Sequence, residues 1–567
     1  MILDIISDII VKSKRKEVNI IMSKIKICAL GGLNEKGKNM YIVEVNKDIF
    51  IFEAGLKYAS DDLLGIDYII PNFDYLVENK DRIVGLFITH GHDDQVGAIV
   101  DLLSYIPDIK IYGGKYTLEI IKQDLEEEKV SANLIELTAH KQVNFGENNI
   151  FPIQVSHALP DSYLYVLNTK DGAIVFSGNY VFDPTMTGPY KTDIGKLAYV
   201  GKQGVLCLMS ECLYSNNLGF TSPKHLAGEL FTETLLKTPG RILINIFGSQ
   251  IYRIQELLTS VTNSDRNVVI MGKNLENIIS KSIDMGLIKF DKKRIKNIHH
   301  VNDSGIVVII SNEKERPYSS LKRILRHSDK FITLKEEDTV VIASPIYEGI
   351  ELTSTKVFDD IAKVGSKLII LSKKFLSPHA SREDILMMIN LMQPKYFMPV
   401  NGEYRCQVEA VNAAKLIGYN DSNTLLRLNG QVTTFIDGKL VDSVDHIKVD
   451  DVFIDGKDTT DIGDLVLKDR EILSDNGIVI VTATIDKVTK RILANPIIVT
   501  KGFVFVKDNI DLIKEAEQIS LKILKDNIKG YYADYNKVKY GIRDKLGKFF
   551  YNETECKPMI IVVMQEI

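Results

Sequence analysis

The stretch "FITHGHDDQVGAIVDLL", residues 87–103, sets His90, His92, Asp93 and Asp94 directly behind an apolar run and supplies Gln95 where a fourth metal ligand is expected. Ile83 to Ile88 is apolar almost throughout, the pattern of a strand buried on both faces. Two imidazoles two residues apart on a tight loop can turn toward one point, and Asp94 extends that cluster by a carboxylate. The chain has only ten histidines, so composition does not produce the cluster. A hydrogen-bonded loop that holds no metal is the competing reading.

Outward from this loop the same grammar recurs. In "FPIQVSHALPDS", residues 151–162, His157 follows a strand; in "GAIVFSGNYVFD", residues 172–183, Ser177, Gly178 and Asn179 follow another. A lone buried histidine is more often a core residue than a ligand, but the loop beyond a strand end is where α/β folds keep chemistry. From 24 to about 208, β-rich runs alternate with helical segments, as in an α/β layered domain. A second βα region spans 209–365, with strands expected at Ile242 to Ile246, Val268 to Met271, Ile306 to Ile310 and Val340 to Ala343. Then "KLIILSKKFLSPHAS" (367–381) and "PKYFMPVNGEYR" (394–405) restore the strand-then-polar-loop pattern, as though the first domain resumed after an insertion.

The tail from about 450 reads as a small α+β domain. "GIVIVTATID", "IIVTKGFVFV" and "PMIIVVMQ" are strand candidates, while Leu512, Ala516, Ile519 and Ile523 share one helical face, as do Val538, Ile542, Leu546 and Phe549. "DDVFIDGKDTTDIGD", polar and rich in Gly and Asp, is the expected connector.

Composition narrows the class. A chain of 567 residues exceeds one hydrophobic core, and at roughly 100–200 residues per domain it implies about three. Hydrophobic content of 45% and charged content of 26% are ordinary for globular material, and no apolar run reaches the ~18 residues of a membrane span. In the opening segment the cationic cluster Lys12 to Lys16 follows the apolar residues instead of preceding them, unlike a signal peptide; residues 1–23 read as an N-terminal extension or a misassigned start. Five scattered cysteines without a CxxC pair indicate neither a disulfide framework nor a thiolate zinc site, so a reducing cytoplasm is expected. The net charge of −5 supplies no global attraction to nucleic acid, though a local basic groove is compatible with it.

Six motifs in order, "HGHDDQVG", "SHALPDS", "SGNYVFDPT", "FGSQIYRIQ", "SPHASRED" and "YFMPVNGEYR", resemble the ribonuclease J family of metallo-β-lactamase-fold RNases with a β-CASP insertion. "LVLKDREILSDNGIVIV" and "TKGFVFVKD" extend the resemblance through the tail. It implies an α/β fold: a metallo-β-lactamase αββα sandwich (24–208 and 366–449), an inserted β-CASP α/β domain (209–365) and a small C-terminal α+β domain (450–567). It further implies a cytoplasmic zinc-dependent phosphodiesterase of RNA maturation and decay, acting as 5′-to-3′ exonuclease and endonuclease in homodimers or homotetramers, with no membrane partner.

Carried residue by residue, the resemblance places His90, His92, Asp94 and His157 as metal ligands and Asp94 and His379 in catalysis. Ser377, His379, Ser381 and Arg253 are expected at RNA or phosphate, and Glu211 at the acidic β-CASP position; Arg253 has a structural ion pair as its rival reading. The departures are as informative. Where the family has HxHxDH this chain has Gln95, its bridging aspartate falls on Asn179, and its late histidine falls on Asn401. An uncharged amide is a poor zinc ligand, so at most one tightly bound Zn²⁺ is expected, on the three imidazoles. Glu53 stands where aspartate is common, as a turn residue or as a partner behind the ligands. Pro378 replaces a glycine, Phe375 a histidine, and "ISNEKERP" (310–317), with Glu313 and Glu315, replaces a glycine-rich turn. Two function classes follow: a slow ribonuclease of the weak second-paralogue type, or a non-catalytic partner subunit that scaffolds an active paralogue in a hetero-oligomer. A hydrolase of small thioesters or lactams has no use for the middle and tail domains.

Overall fold

The computed structural model describes residues 22–59, 65–312, 318–344, 346, 350–371, 375, 377–441, 445–456, 464–504, 509–529 and 532–567. The N-terminal extension to residue 21, Glu313 and Glu315 of the "ISNEKERP" turn, and 457–463 of the connector lie outside the described residues. The described chain forms two units, one from the described parts of Met1–Tyr58 and Tyr68–Val452, the other from Ala59–Asp67 and Phe453–Ile567. No described helix is long and apolar enough to cross a membrane.

In the first unit two sheets face each other. The eight-stranded sheet runs Lys439–Val441, Thr433–Ile436, Lys24–Gly31, Met40–Val45, Asp48–Phe52, Ile83–Phe87, Lys110–Gly113, Asn133–Glu136. The six-stranded sheet runs Tyr396–Val400, Val205–Glu211, Gly172–Phe176, Tyr163–Thr169, Asn148–Gln154, Val143–Phe145. Strands that precede and follow residues 212–395 therefore lie side by side: Val205–Glu211 pairs in parallel with Tyr396–Val400. Between the sheets lies an aromatic core, with Phe52 and Phe176 ring centroids 5.2 Å apart and Phe87 stacked on Tyr112 at 4.7 Å. The outer face of the second sheet is covered by the helices Ile194–Gln203, Arg382–Met392 and Tyr404–Leu416 through Leu197, Ile385, Met388, Ala410 and Ala414.

The intervening residues build a parallel sheet in the order Ile295–Lys296, Val268–Met271, Val307–Asn312, Ile242–Phe247, Thr339–Ile342, Lys367–Ile370. Near-continuous apolar strands are what a sheet covered on both faces requires, and cores lie on either side, Ile244, Val268 and Ile309 facing one, Leu243, Val269 and Val308 the other. The strand Lys367–Ile370 belongs to this sheet, so the inserted layer runs past residue 365, where the sequence pattern placed its end. Polar loops on both sides of "KLIIL" hid the pairing, which is set by Thr339–Ile342 alongside.

In the second unit Ile478–Ile485 lies between an antiparallel Ile492–Lys501 and a parallel Met559–Glu566. The helices Ile510–Asn527 and Tyr535–Thr554 cover one face with Ile513, Ala516, Leu524, Val538, Ile542, Leu546 and Phe550. The expected helical faces are present, with Phe550 rather than Phe549 at the centre. Alternation along the strands leaves Ile497, Val499 and Val563 exposed on the opposite face.

The inserted sheet is anchored by Arg241, 5% exposed, whose guanidinium pairs with the buried Asp338 and donates to Val301 O, Asn302 Oδ1 and Thr333 O. Removing one partner strands the other charge in the interior, at a cost of about 3–5 kcal/mol. Arg241→Ala is expected to lower the denaturation midpoint of the first unit markedly, and the double change Arg241→Met with Asp338→Leu to lower it less; equal losses in a chemical melt would refute this account.

Candidate metal centre

The residues around the histidine trio sit at or just beyond strand ends of the two facing sheets. His90 and His92 follow Ile83–Phe87, His157 follows Asn148–Gln154, Asn179 follows Gly172–Phe176, Glu211 ends Val205–Glu211, and Asn401 follows Tyr396–Val400. The first loop is pinned by the backbone of Ala54 and Leu56, which donate to Gln95 O at 2.7 Å and Asp93 O at 3.0 Å. Gly55 permits that approach: a Cβ there would stand 1.8 Å from Asp94 O.

His90, His92 and His157 bring one ring nitrogen each within 4.8 Å of one another, and His92 Nδ1 lies 3.1 Å from His90 Nε2 and 3.3 Å from His157 Nε2. The opposite nitrogens decide the tautomers. His157 Nδ1 faces Pro378 O at 2.7 Å, and His92 Nε2 faces Ser249 O at 3.1 Å. A carbonyl oxygen only accepts, so each of these nitrogens carries the proton and the inward nitrogen presents its lone pair. His90 Nδ1 meets Thr89 Oγ1 at 2.8 Å, whose hydroxyl donates to Glu53. Burial first, then the neighbouring His92 and His379, hold His157 well below the usual imidazole range, in the neutral form a metal needs. Three lone pairs aimed at one point repel each other unless a cation lies between them, so the donor set fits a divalent metal ion. Glu53 is buried, in the left-handed region at φ 64°, and burial pushes its carboxyl well upward.

Asp94 is not brought into this trio. Its Oδ2 accepts from Gln95 Nε2 at 3.0 Å, and among the described residues the group of ligand atoms within 4.8 Å contains no carboxylate. Asn401 Nδ2 donates to Asn179 Oδ1 at 2.7 Å, and Asn179 Nδ2 lies 3.4 Å from His90 Nε2. The amides are thus linked to each other and to the trio. Gln95 Oε1 and Asn401 Oδ1 are buried and receive no hydrogen bond among the described residues; as uncharged oxygens they are weak zinc ligands.

His379 stands at the rim, its ring 5.5 Å from that of His157, with Nδ1 2.8 Å from Glu211 Oε2. Glu211, fully buried, also accepts from Tyr180 N and Ala380 N, so it orients the His379 segment from behind. Ser377 is half-buried and its carbonyl accepts from His379 N. Two expected phosphate contacts are placed differently. Ser381 is fully buried; it caps the helix Arg382–Met392 in a capping box with Asp384, and its hydroxyl meets Thr221 Oγ1 at 2.7 Å. Arg253 is 5% exposed, and its guanidinium donates to Gln250 Oε1, Ala343 O and His225 O, which gives it a structural role. Phe375, at the altered histidine position, joins the core of the inserted sheet. Pro378 keeps its usefulness through its carbonyl, since only its N–H is lost.

Sequence reading missed Thr89, Ser249 and Asp384. Asp384 accepts from Phe182 N, Thr221 N and Ser381 N, tying three loops together. The Ser-x-x-Asp spacing of 381 and 384 is a capping signal that was available; Ser249 acts through its backbone and left none.

Comparison with known proteins agrees with this architecture. Sequence profiles match in four successive blocks: the metallo-beta-lactamase superfamily at 33–199, the ribonuclease J beta-CASP domain at 239–361, the Zn-dependent metallo-hydrolase RNA specificity domain at 370–420, and the ribonuclease J C-terminal domain at 465–567. Ribonuclease J2 of Bacillus subtilis (strain 168) is 34% identical over 550 residues, covering 96% of this chain and 99% of that protein. Ribonuclease J 2 of Staphylococcus aureus (strain NCTC 8325 / PS 47) is 31% identical over 564 residues, covering 98% and 100%. A crystal structure of a protein of unknown function from Enterococcus faecalis V583 shares the fold, with TM-score 0.52 at 14% identity over 73% of this chain and all of its own. Four domain matches in order and near full-length identity above 30% make this chain a member of the ribonuclease J family of RNA-processing nucleases, of its second-paralogue type.

Proposed function

We propose that this chain serves cytoplasmic RNA maturation and decay as a ribonuclease J-type subunit with one zinc ion and weak catalysis of its own. The observation that carries the reading is the contrast inside one site: three inward lone pairs on His90, His92 and His157, beside a position where Gln95, Asn179 and Asn401 offer only amides. A single zinc on three imidazoles supplies Lewis acidity and a water of lowered pKa. Phosphodiester hydrolysis by a two-metal site clamps both the attacking and leaving oxygens, and one ion cannot do both. His379, 5.5 Å ring to ring from His157, is the candidate for proton handling beside the trio, with Asp94 retained as a candidate from the family pattern, and Ser377 and His379 are the candidates for a phosphate at the rim. The domain limits 24–208, 209–365, 366–449 and 450–567 are retained as a proposal, with the second moved to 370 to keep Lys367–Ile370 with its sheet.

Elemental analysis of protein purified without chelator is expected to give about one zinc per chain, with slow hydrolysis of 5′-monophosphorylated RNA. Gln95→His, Asn179→Asp and Asn401→His together are expected to raise the metal content toward two, and each alone to do little, because ligands of one ion act as a unit. Two tightly bound zinc ions in the unmodified chain would overturn the reading, and none would favour the scaffold. Thr89→Val is expected to weaken zinc binding about 10–100-fold by freeing the His90 ring, a loss that competition with a chromophoric chelator would register.

The second reading, a partner subunit of an active paralogue, is favoured by the open apolar sheet face of the tail, with Ile497 59%, Val563 46% and Val499 45% exposed. An exposed apolar face of this kind marks an interaction surface. Light scattering during size-exclusion chromatography is expected to show a dimer or tetramer for the full chain and a smaller species for Ile497→Lys with Val499→Lys. A full-length monomer at micromolar concentration that fails to join an active ribonuclease J would remove its support.

A further inference from the structure

The inserted domain carries a charge pattern that the metal centre does not use. In a chain of net charge −5, residues 289–300 hold five cations and one acid, and residues 322–331 hold four cations and one acid. The structure brings the C-terminal ends of the two segments together. Arg241 donates to Val301 O and Asn302 Oδ1 just beyond the first and to Thr333 O just beyond the second, and Asn302 Nδ2 donates to Phe331 O at 3.1 Å. The His299 ring lies 6.3 Å from that of Phe331, which is 46% exposed.

Not every cation in the strip faces outward. Arg294 is occupied by the carbonyls of Val261, Ser264 and Arg266, and Lys292 pairs with Asp284. Lys289, Lys293, Arg323, Arg326 and Lys330 are exposed. Lys322 is held below the ordinary lysine range first by burial and then by the charges of Arg326 and Lys356, so the cations around this helix end repel one another. Such crowding is unfavourable in the free protein and is relieved by a polyanion.

Position separates this strip from the metal centre. Arg241 precedes the strand Ile242–Phe247, and Ser249, whose carbonyl holds His92, follows it. Six extended residues, roughly 20 Å, therefore lie between them.

We infer that the strip formed by Lys289–His300 and Lys322–Phe331 is a second RNA-binding surface, which takes the phosphate backbone of a single strand on Lys293, Arg323, Arg326 and Lys330 and stacks a base on Phe331. This rests on the reading of the chain as an RNA-handling protein. Cations interleaved with an exposed aromatic are the chemistry of sequence-tolerant single-strand binding, and an end of the domain remote from the trio suits holding a long RNA whose terminus is elsewhere.

The test uses the full chain and fluorescently labelled, unstructured 5′-phosphorylated oligoribonucleotides of about 30 and about 6 nucleotides, titrated between about 50 and 200 mM salt. Lys293→Glu, Arg323→Glu, Arg326→Glu and Lys330→Glu together are expected to weaken binding of the long RNA at least about tenfold and to flatten its salt dependence by roughly two to three in log–log slope. Phe331→Ala is expected to cost about fivefold or more. A control with the same charge change elsewhere, Lys537→Glu, Arg543→Glu, Lys545→Glu and Lys548→Glu, is expected to leave affinity near that of the unmodified chain. The milder set Lys293→Gln, Arg323→Gln, Arg326→Gln and Lys330→Gln guards against misfolding of the first. Long-RNA affinity unchanged in both sets, or an equal loss in the control, would overturn the inference. Polyglutamate competing as well as RNA would overturn it in favour of an acidic protein partner. If the unmodified chain binds neither RNA length, the RNA reading itself falls; if it binds both lengths equally and the variants do not matter, only the second surface falls.

Discussion

Two backbone carbonyls, Pro378 O and Ser249 O, determine what the metal centre is. They stand behind His157 and His92 as acceptors that cannot donate, so they fix the proton on the outer nitrogen and leave the inner lone pair pointing at the centre. Neither carbonyl belongs to the loops that carry the histidines. Ser249 follows the central strand of the inserted sheet, and Pro378 lies where the chain returns from it. A sandwich of two sheets alone supplies the imidazoles but not their orientation; the inserted residues are part of the site's electronics as well as of its walls.

The aromatic core serves the same end from the other side. Phe52, Phe87 and Phe176 interlock between the sheets, with Phe52 centroids 5.9 Å from Phe87 and 5.2 Å from Phe176. Each is followed immediately by a site loop: Phe52 by Glu53, Phe87 by Thr89 and His90, Phe176 by Ser177 to Asn179. Close packing lets these strand ends shift little, and Gly178, at φ 56°, allows its loop to lie against Thr89, where a Cβ would come within 2.9 Å. Core packing is thus what holds the loops to the tolerance that a three-ligand centre requires.

Much of this was legible in the sequence because it depends on local pattern. The apolar run before His90, the strand before His157 and the helical faces at 512–523 and 538–549 are short-range signals, and each appears as a strand or helix where the pattern put it. What escaped depends on distant partners. Lys367–Ile370 joins the inserted sheet because Thr339–Ile342 lies beside it. Ala59–Asp67 joins the C-terminal unit across nearly four hundred residues of sequence, with Asp67 N donating to Ile454 O. Arg253 and Ser381 have the chemistry of phosphate contacts, and only the structure shows that they are buried, with the Arg253 terminal nitrogens donating to Gln250 Oε1, Ala343 O and His225 O and the Ser381 hydroxyl against Thr221.

The amides make physical sense as a set. Asn179 is 2% exposed and Asn401 5%, so a carboxylate at 179 would be a buried charge that costs several kcal/mol unless a cation is bound beside it. An amide at 179 keeps nearly the shape of an aspartate and removes the charge, while its Oδ1 still accepts from Asn401 Nδ2. Gln95 likewise donates to Asp94 and so steadies the one carboxylate that remains. Changing a single amide back to an ionisable residue disturbs this neutral network before it gains an ion. The three amides therefore belong together: where no second cation is held, neutrality is the state in which these strand ends fold with least strain.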